Sequence, residues 1–478
     1  MIGDILNLSE LIYFFSHTFI LFFIIAFVFY WLTPKNHQNK LLLAFCYLFY
    51  FSWNIKLFSL VLLSTLVDYI CANQIFQSKD KLKRKRLLRL SILVNIGSLV
   101  AFKYFDFFIE SFNQLSLSLG LSTSLPILNI ILPLGISFYT FQSLAYTVDV
   151  YRKKVEPEKS FINFSIFVAY FPQLIAGPIE RSENLLPQIR KQKLFKEVEI
   201  EKGLFLFWFG FFKKRVIADY LAIYVERAYE NPNANSLEIT LGIIAFSFQA
   251  YCDVSGYTYM ARGMSLLFGI KLSNNFFFPF FSKSPSDFWN RWHITLSHWL
   301  RDYVYFPILI KYRKPTLATF MTFIFVGAWH GPKFHFLEWG VLWAMIISIY
   351  HYSKIKVDMY NITILKKDST TTILMFITII LSQGFYRAES TTQFITLLKN
   401  IFIGFQASND MALLLNPFLI LVLFIVIYDS TAYYIMKRNE FFILELSFVK
   451  KTFFYLTLYF MYRNFQNIGK LDFIYFNY

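Results

Sequence analysis

Charge is scarce in this chain and acidic charge scarcer still: charged residues make up 16% of 478 positions, with 30 Asp and Glu against 46 Lys and Arg. Only three cysteines occur, Cys46, Cys71 and Cys252, far apart and in apolar surroundings. That excludes a disulfide framework and a thiolate metal site, and leaves them as small buried apolar residues. The chain has no Gly-x-Ser-x-Gly elbow, phosphate loop or dinucleotide fingerprint, so serine hydrolase, nucleotide hydrolase and dehydrogenase readings have no foothold. His293, His298, His330 and His335 form two pairs with a five-residue interval, which sets each pair about 140° apart around a helix. No acidic residue stands at a recognised metalloenzyme spacing, so no metal site is expected. Low-complexity linkers, a soluble domain and a repeat period are also missing, and the expectation is one domain over residues 1–478 with an aromatic tail at 468–478.

What is present is apolar: 56% of residues are hydrophobic and 21% aromatic, more than a soluble chain of this length can hide in a core. Lipid must be the main solvent. Spans or partial spans fall near 11–32, 41–53, 57–76, 90–108, 128–148, 161–176, 203–228, 238–270, 316–330, 337–350, 371–386, 412–431 and 452–463. The first carries no Asp, Glu, Lys or Arg and is too long, without a basic start or small-residue cleavage site, for a removable signal peptide. The net charge of +16 sits in short clusters between spans, at Lys79 to Arg89, Arg152 to Lys154, Arg190 to Lys196 and Lys213 to Arg215. These read as cytoplasmic loops facing anionic headgroups, with the amino terminus outside, and not as a nucleic-acid surface. The segments 161–176 and 320–330 are short and punctuated by Gly and Pro, as expected of broken or re-entrant helices. The 60 phenylalanines are lipid-facing and core packing. The expected fold is all-α, a polytopic transmembrane helical domain.

Two places hold chemistry-bearing side chains. From Ser284 to Tyr303 the sequence opens with an N-cap serine, Pro285 at the first position and Asp287 three residues after the cap, so a helix should run on to Tyr303. Along it Trp289, Trp292, His293, Leu296, Trp299, Leu300 and Tyr303 fall on one face, with Arg291 and His298 turned away. His293 then points inward and Asp287 pairs with Arg291. Arg301 and Asp302 follow in the same membrane-associated segment, where ionisable groups tend to mark functional cavities. The second place is Gly327-Ala-Trp-His-Gly331, which closes an apolar run from Ala318. His330 stands alone there and is expected neutral and able to accept a proton, as a general base acting on a hydroxyl would. Gly327 and Gly331 serve either close backbone approach by a substrate or close helix packing. The intramembrane polar residues Asp68, Asp253, His293 and His330 also suit a transporter or channel, but the Trp-His-Gly region has no second copy of the kind paired broken helices would give.

These residues resemble the membrane-bound O-acyltransferase family, in particular its bacterial branch of glycan O-acetylating and D-alanylating proteins. Besides Asp287 to His293 and Trp329 to Gly331, the likeness takes in Leu132 to Tyr139, Phe171 to Glu180 and Trp299 to Tyr303. It implies a helical ring whose thin centre holds two histidines, His330 and His293, with Trp329 and Asp302 beside the tunnel. It implies acetyl-CoA as a cytoplasmic donor substrate, no bound cofactor, and a glycan or an extracytoplasmic acetyltransferase partner as acceptor at a bacterial cytoplasmic membrane. His330 would remove the proton of the attacking hydroxyl, and His293 would polarise the thioester carbonyl or orient a substrate. Gln249 to Gly256 and Gly384 to Ala388 resemble further segments of that branch and add Asp253 and Arg387 as site candidates. The aromatic tail Phe473 to Tyr478 resembles that of the same branch, by which Tyr475 would carry the acyl group transiently.

Overall fold

The computed structural model describes residues 8–121, 124–360, 368–403 and 411–465, and among them helices are the only regular structure, with no strand. The chain divides into two compact units, residues 1–204 with 260–273 and residues 205–259 with 274–478.

The first unit is built on α1 (His17–Leu32), α2 (Lys35–Trp53), α3 (Ile55–Gln77), α4 (Lys81–Ser118), α5 (Ile136–Tyr151), α6 (Phe161–Ala169), α7 (Phe171–Leu174) and α8 (Ser182–Arg190). Their starts follow from caps: the Ser16 hydroxyl accepts from Phe19 N, Asn54 Oδ1 from Lys56 N and Leu57 N, and Asp80 Oδ1 from Leu82 N. The Asp80 cap corrects one reading. The basic run after Lys79 is the first turns of α4 and not a loop, so this helix carries its positive charge at the membrane boundary and extends well past the apolar stretch. The α6–α7 pair bears out the broken segment, with Tyr170 interrupting the helical turn before Pro172.

Outward faces of this unit are apolar. Ile24, Phe29, Leu63, Leu66, Phe105 and Phe108 are all exposed, as residues meeting lipid chains are. Polar side chains turn inward instead. The Asp68 carboxylate on α3 accepts from Ser91 Oγ at 2.5 Å, Asn95 Nδ2 at 2.8 Å and Thr147 Oγ1 at 3.1 Å, which ties α3 to α4 and α5.

The second unit takes up the chain within α9 (Ile200–Phe212) and continues through α10 (Asp219–Tyr229) and α11 (Ser236–Leu267), whose last turns belong to the first unit. After 274 follow α12 (Pro285–Trp289), α13 (Ile294–Leu300), α14 (Phe306–Tyr312), α15 (Pro315–His330), α16 (Phe334–Tyr360), α17 (Asp368–Arg387), α18 (Thr391–Ile403), α19 (Met411–Ser430) and α20 (Phe448–Phe465). Among the described residues five helices, α3, α4, α11, α17 and the Leu415–Ile435 stretch, are by themselves long and apolar enough to cross a membrane.

Glycine allows a close helix contact in this unit. A Cβ on Gly327 would stand 2.2 Å from the Phe336 carbonyl oxygen, and one on Gly340 would stand 2.2 Å from that of Phe323, so α15 and α16 touch backbone to backbone.

The cluster Lys213 to Arg215 departs from the sequence reading. It lies on a π-helical turn (Lys213–Ala218) between α9 and α10, with Lys213 and Lys214 buried and not in a headgroup-facing loop. The reason is carboxylate supply. Lys214 Nζ reaches Asp219 Oδ1 at 2.9 Å and Asp253 Oδ1 at 2.5 Å, Arg215 pairs with Asp219, and Lys213 Nζ lies 4.0 Å from the centroid of Tyr251, whose hydroxyl donates to Asp429 at 3.0 Å. Removing one partner leaves buried charge without its counterpart. Lys214→Met should therefore lower unfolding stability in nanodiscs by about 3–5 kcal/mol, with Asp253→Asn in the same chain restoring part of it; an unchanged thermal midpoint would contradict this.

Candidate active site

The segment from Ser284 starts as the sequence indicates: Ser284 Oγ accepts from Asp287 N at 3.1 Å, Pro285 is the first helical residue, and Arg291 Nε donates to Asp287 Oδ1 at 2.7 Å. It does not run on to Tyr303. The helix stops at Trp289, the chain turns through Asn290 to His293, and α13 begins afresh at Ile294 before a π-helical turn at Arg301–Tyr305. His293 sits at the break with φ 44°, a left-handed conformation that costs a non-glycine residue about 1–3 kcal/mol and persists only where neighbours enforce it. Asn275 enforces it. Its carbonyl accepts from Ile294 N at 2.8 Å, and its Oδ1 accepts from Thr295 N at 3.2 Å and Thr295 Oγ1 at 2.9 Å.

The break turns the His293 ring inward, where it is 2% exposed, between Phe276 (centroids 6.0 Å) and Trp329 (6.1 Å). Arg291, expected to turn away, is also buried, because the same break lets its NH2 group donate to Tyr433 Oη at 3.3 Å.

His330 closes α15 and is likewise buried. Its ring lies among Trp329 (4.9 Å), Phe336 (6.2 Å), Trp339 (5.2 Å) and Tyr386 (5.0 Å). Nδ1 lies 3.1 Å from Tyr386 Oη, and the tautomer decides which of the two donates. Trp339 Nε1 donates to Ser382 Oγ at 3.1 Å, so two residues of α17 hold this wall. Trp329 is the shared partner: one face of the site is His293 on Trp329, the other His330 on the same indole. The paired glycines of α15 and α16 set the depth at which His330 sits. Gly331, whose Cβ would lie 2.6 Å from the Phe336 ring, serves the same packing.

A cleft of about 220 Å³ opens in the same unit, lined by Trp289, Asn290, His298, Arg301, Thr319 and Val326 among others. Trp289 separates it from the histidine, packing at 6.1 Å on Trp339, which packs on His330.

Other residues expected at the site are placed elsewhere or given other work. Asp302 pairs with its neighbour Arg301 at 2.9 Å on a partly exposed turn. Asp253 is consumed by Lys214. Arg387 pairs with Glu230 at 2.8 Å and covers the Tyr229 ring at a helix end. Tyr475 lies outside the described residues. Tyr386 is the residue that sequence reasoning missed; it stands beside Arg387 in Gly384-Phe-Tyr-Arg-Ala388, and a phenol one residue from a charged candidate was its only signal.

Two buried imidazoles on one indole, in a unit of apolar helices, meet here with a match over most of the chain: the model of MBOAT, the membrane-bound O-acyltransferase family, covers residues 48–381. The chain belongs to this family. It is an O-acyltransferase of membranes, all-α and with several helices suited to cross them. Among its relatives is the probable alginate O-acetylase AlgI of Pseudomonas putida, 36% identical over 340 residues that cover 70% of each chain. The peptidoglycan O-acetyltransferase of Helicobacter pylori is 33% identical over 397 residues, 76% of this chain and 73% of that one. The teichoic acid D-alanyltransferase of Bacillus subtilis is 29% identical over 240 residues, 47% of this chain and 60% of that one.

The Tyr386 contact can be tested without dismantling the site. Tyr386→Phe keeps the ring that packs on His330 and removes one hydrogen bond worth about 1 kcal/mol, so acyl transfer should slow about fivefold to tenfold with only a small loss of thermal stability. Full turnover in this variant would show that the phenol has no part in holding the histidine.

Proposed function

We propose that this acyltransferase moves an acetyl group from acetyl-CoA, supplied on the cytoplasmic side of a bacterial cytoplasmic membrane, to hydroxyls of an exported polysaccharide or cell-envelope glycan. Transfer is direct or through an extracytoplasmic acetyltransferase partner. The observation that carries the reading is His330, buried at a helix end with Nδ1 on Tyr386 Oη and its ring on the indole it shares with His293.

With Nδ1–H donating to Tyr386, Nε2 is the base. It takes the proton of the acceptor hydroxyl as that oxygen attacks the thioester carbonyl carbon. The C–S bond then breaks and the thiolate leaves with the proton returned through His330, so an ester and a free thiol result. His293, on the other side of Trp329, orients or polarises the carbonyl. The surrounding rings exclude water, which protects the thioester from hydrolysis.

Charge supports the direction of supply. Lys311, Arg313 and Lys314 flank the start of α15, the arrangement of a cytoplasmic end, and the cleft lined by Arg301 and His298 borders the first half of that helix at Thr319 and Thr322. His330 ends the same 16-residue helix, about 24 Å along it. The acetylating relatives act, by their names, on alginate and peptidoglycan, which favours a carbohydrate acceptor. Asp68 and Asp253 are each held in internal bonds, so they do not support a transport pathway.

His330→Gln should cut O-acetylation of the envelope glycan about 10²–10⁴-fold while the protein reaches its normal abundance. Glycan acetyl content measured after mild alkaline release decides it; retained acetylation at normal abundance would overturn the assignment.

A further inference from the structure

The first unit contains a second polar site that acyl transfer does not use. Between α8 and α9 the chain passes through Lys191, Lys193 and Leu194, and these border a cleft of about 170 Å³ together with Gln188, Glu197, Glu199, Leu266, Gly269 and Lys271. This volume is several times the ~30 Å³ share of a liquid water. Its polar members are organised. Gln188 Nε2 donates to the Lys271 carbonyl at 2.9 Å and its Oε1 accepts from Lys271 N at 2.8 Å, so the two walls are fastened together.

The charges do not balance. Glu199 is held by Lys271 and Lys202, each at 2.6 Å, and Glu197 is held by Lys191 at 3.7 Å. Lys193 remains. It is 9% exposed, and among the described residues no carboxylate lies within ion-pair distance of it. Its stem lies over Gly269, whose φ of 70° closes α11. Burial and the neighbouring Lys191 lower its ammonium to about 8 against the opposing pull of Glu197, so it keeps its charge near neutrality.

A half-buried ammonium offset only by Glu197, beyond ion-pair distance, gains from an anion that joins it. Lysines bordering a polar cleft suit a phosphate, which accepts from several donors at once and can compete with the carboxylates that hold Lys191 and Lys271. We infer that the cleft lined by Lys191, Lys193 and Lys271 binds a phosphate group, supplied either by an anionic phospholipid headgroup or by a soluble phosphate compound. This inference is independent of the acyl-transfer chemistry assigned to the histidines.

The test uses the full chain in phosphatidylcholine nanodiscs, with thermal stability followed as pyrophosphate is added and with chloride and acetate at matched ionic strength as controls. Saturable stabilisation by pyrophosphate is expected. Lys193→Met should weaken it about tenfold or more, and Glu197→Gln should strengthen it, since a rival for the lysines is then neutral. Discs containing phosphatidylglycerol separate the sources: loss of the pyrophosphate response there identifies the headgroup as occupant, and its persistence identifies a soluble phosphate. Equal responses to pyrophosphate and acetate, or an unchanged response in Lys193→Met, would overturn the inference. If Lys193→Met does not fold, the opposite-sign effect of Glu197→Gln decides, because tighter binding cannot arise from damage.

Discussion

Hydrocarbon offers a buried polar group no hydrogen bond, and the main buried charges of this chain answer to that constraint. The backbone satisfies it by being helical. The side chains satisfy it by local closure: Asp68 is ringed by three neutral donors, Lys214 is clamped between Asp219 and Asp253, and the Tyr251 hydroxyl is spent on Asp429. Such groups are costly to bury and strongly coupled, so they fix helix positions instead of offering chemistry. The two histidines of the candidate site meet the same constraint in another manner. They are enclosed mainly by aromatic rings, with the Tyr386 phenol on Nδ1 of His330.

Enclosure of this kind depends on two unlike devices. His330 is delivered by close packing, because the glycines of α15 and α16 bring two backbones into contact and set the helix end at a fixed depth. His293 is delivered by strain, because Asn275 bonds the two residues after it and holds it in the left-handed region, off the helical path its sequence suggests. Both devices work far more precisely than a flexible loop would. The base and carbonyl-polarising roles proposed for them need that precision, since small displacements cost large factors in rate.

Much of this was legible in the sequence, for reasons that can be named. Long apolar stretches report spans because lipid admits little else, and Ser284-Pro285 with Asp287 reports a helix start because those side chains meet orphan backbone groups. The inward direction of His293 was also legible, although through a helical period that the structure replaces by a break. Nothing in Asn290-Arg-Trp-His293 is a helix breaker; the cause lies at Asn275, which no local pattern connects to it. Lys213 and Lys214 misled for the same reason. Adjacent lysines read as a loop when their carboxylates, Asp219, Asp253 and Asp429, are spread over the following 216 positions. Asp253 and Arg387 proved to be members of ion pairs, while Tyr386, one position from Arg387, carried the contact that matters to the histidine.

The central claim is that His293 and His330, meeting at Trp329, act as one acyl-transfer site. The most direct measurement is thiol release from an acetyl thioester by the purified chain in nanodiscs, with a glycan acceptor, for His293→Gln, His330→Gln and the double variant. Groups that act as a unit are not additive: the double variant should be no slower than the slower single one. A double loss equal to the product of the two single losses, or full transfer by His330→Gln, would contradict it.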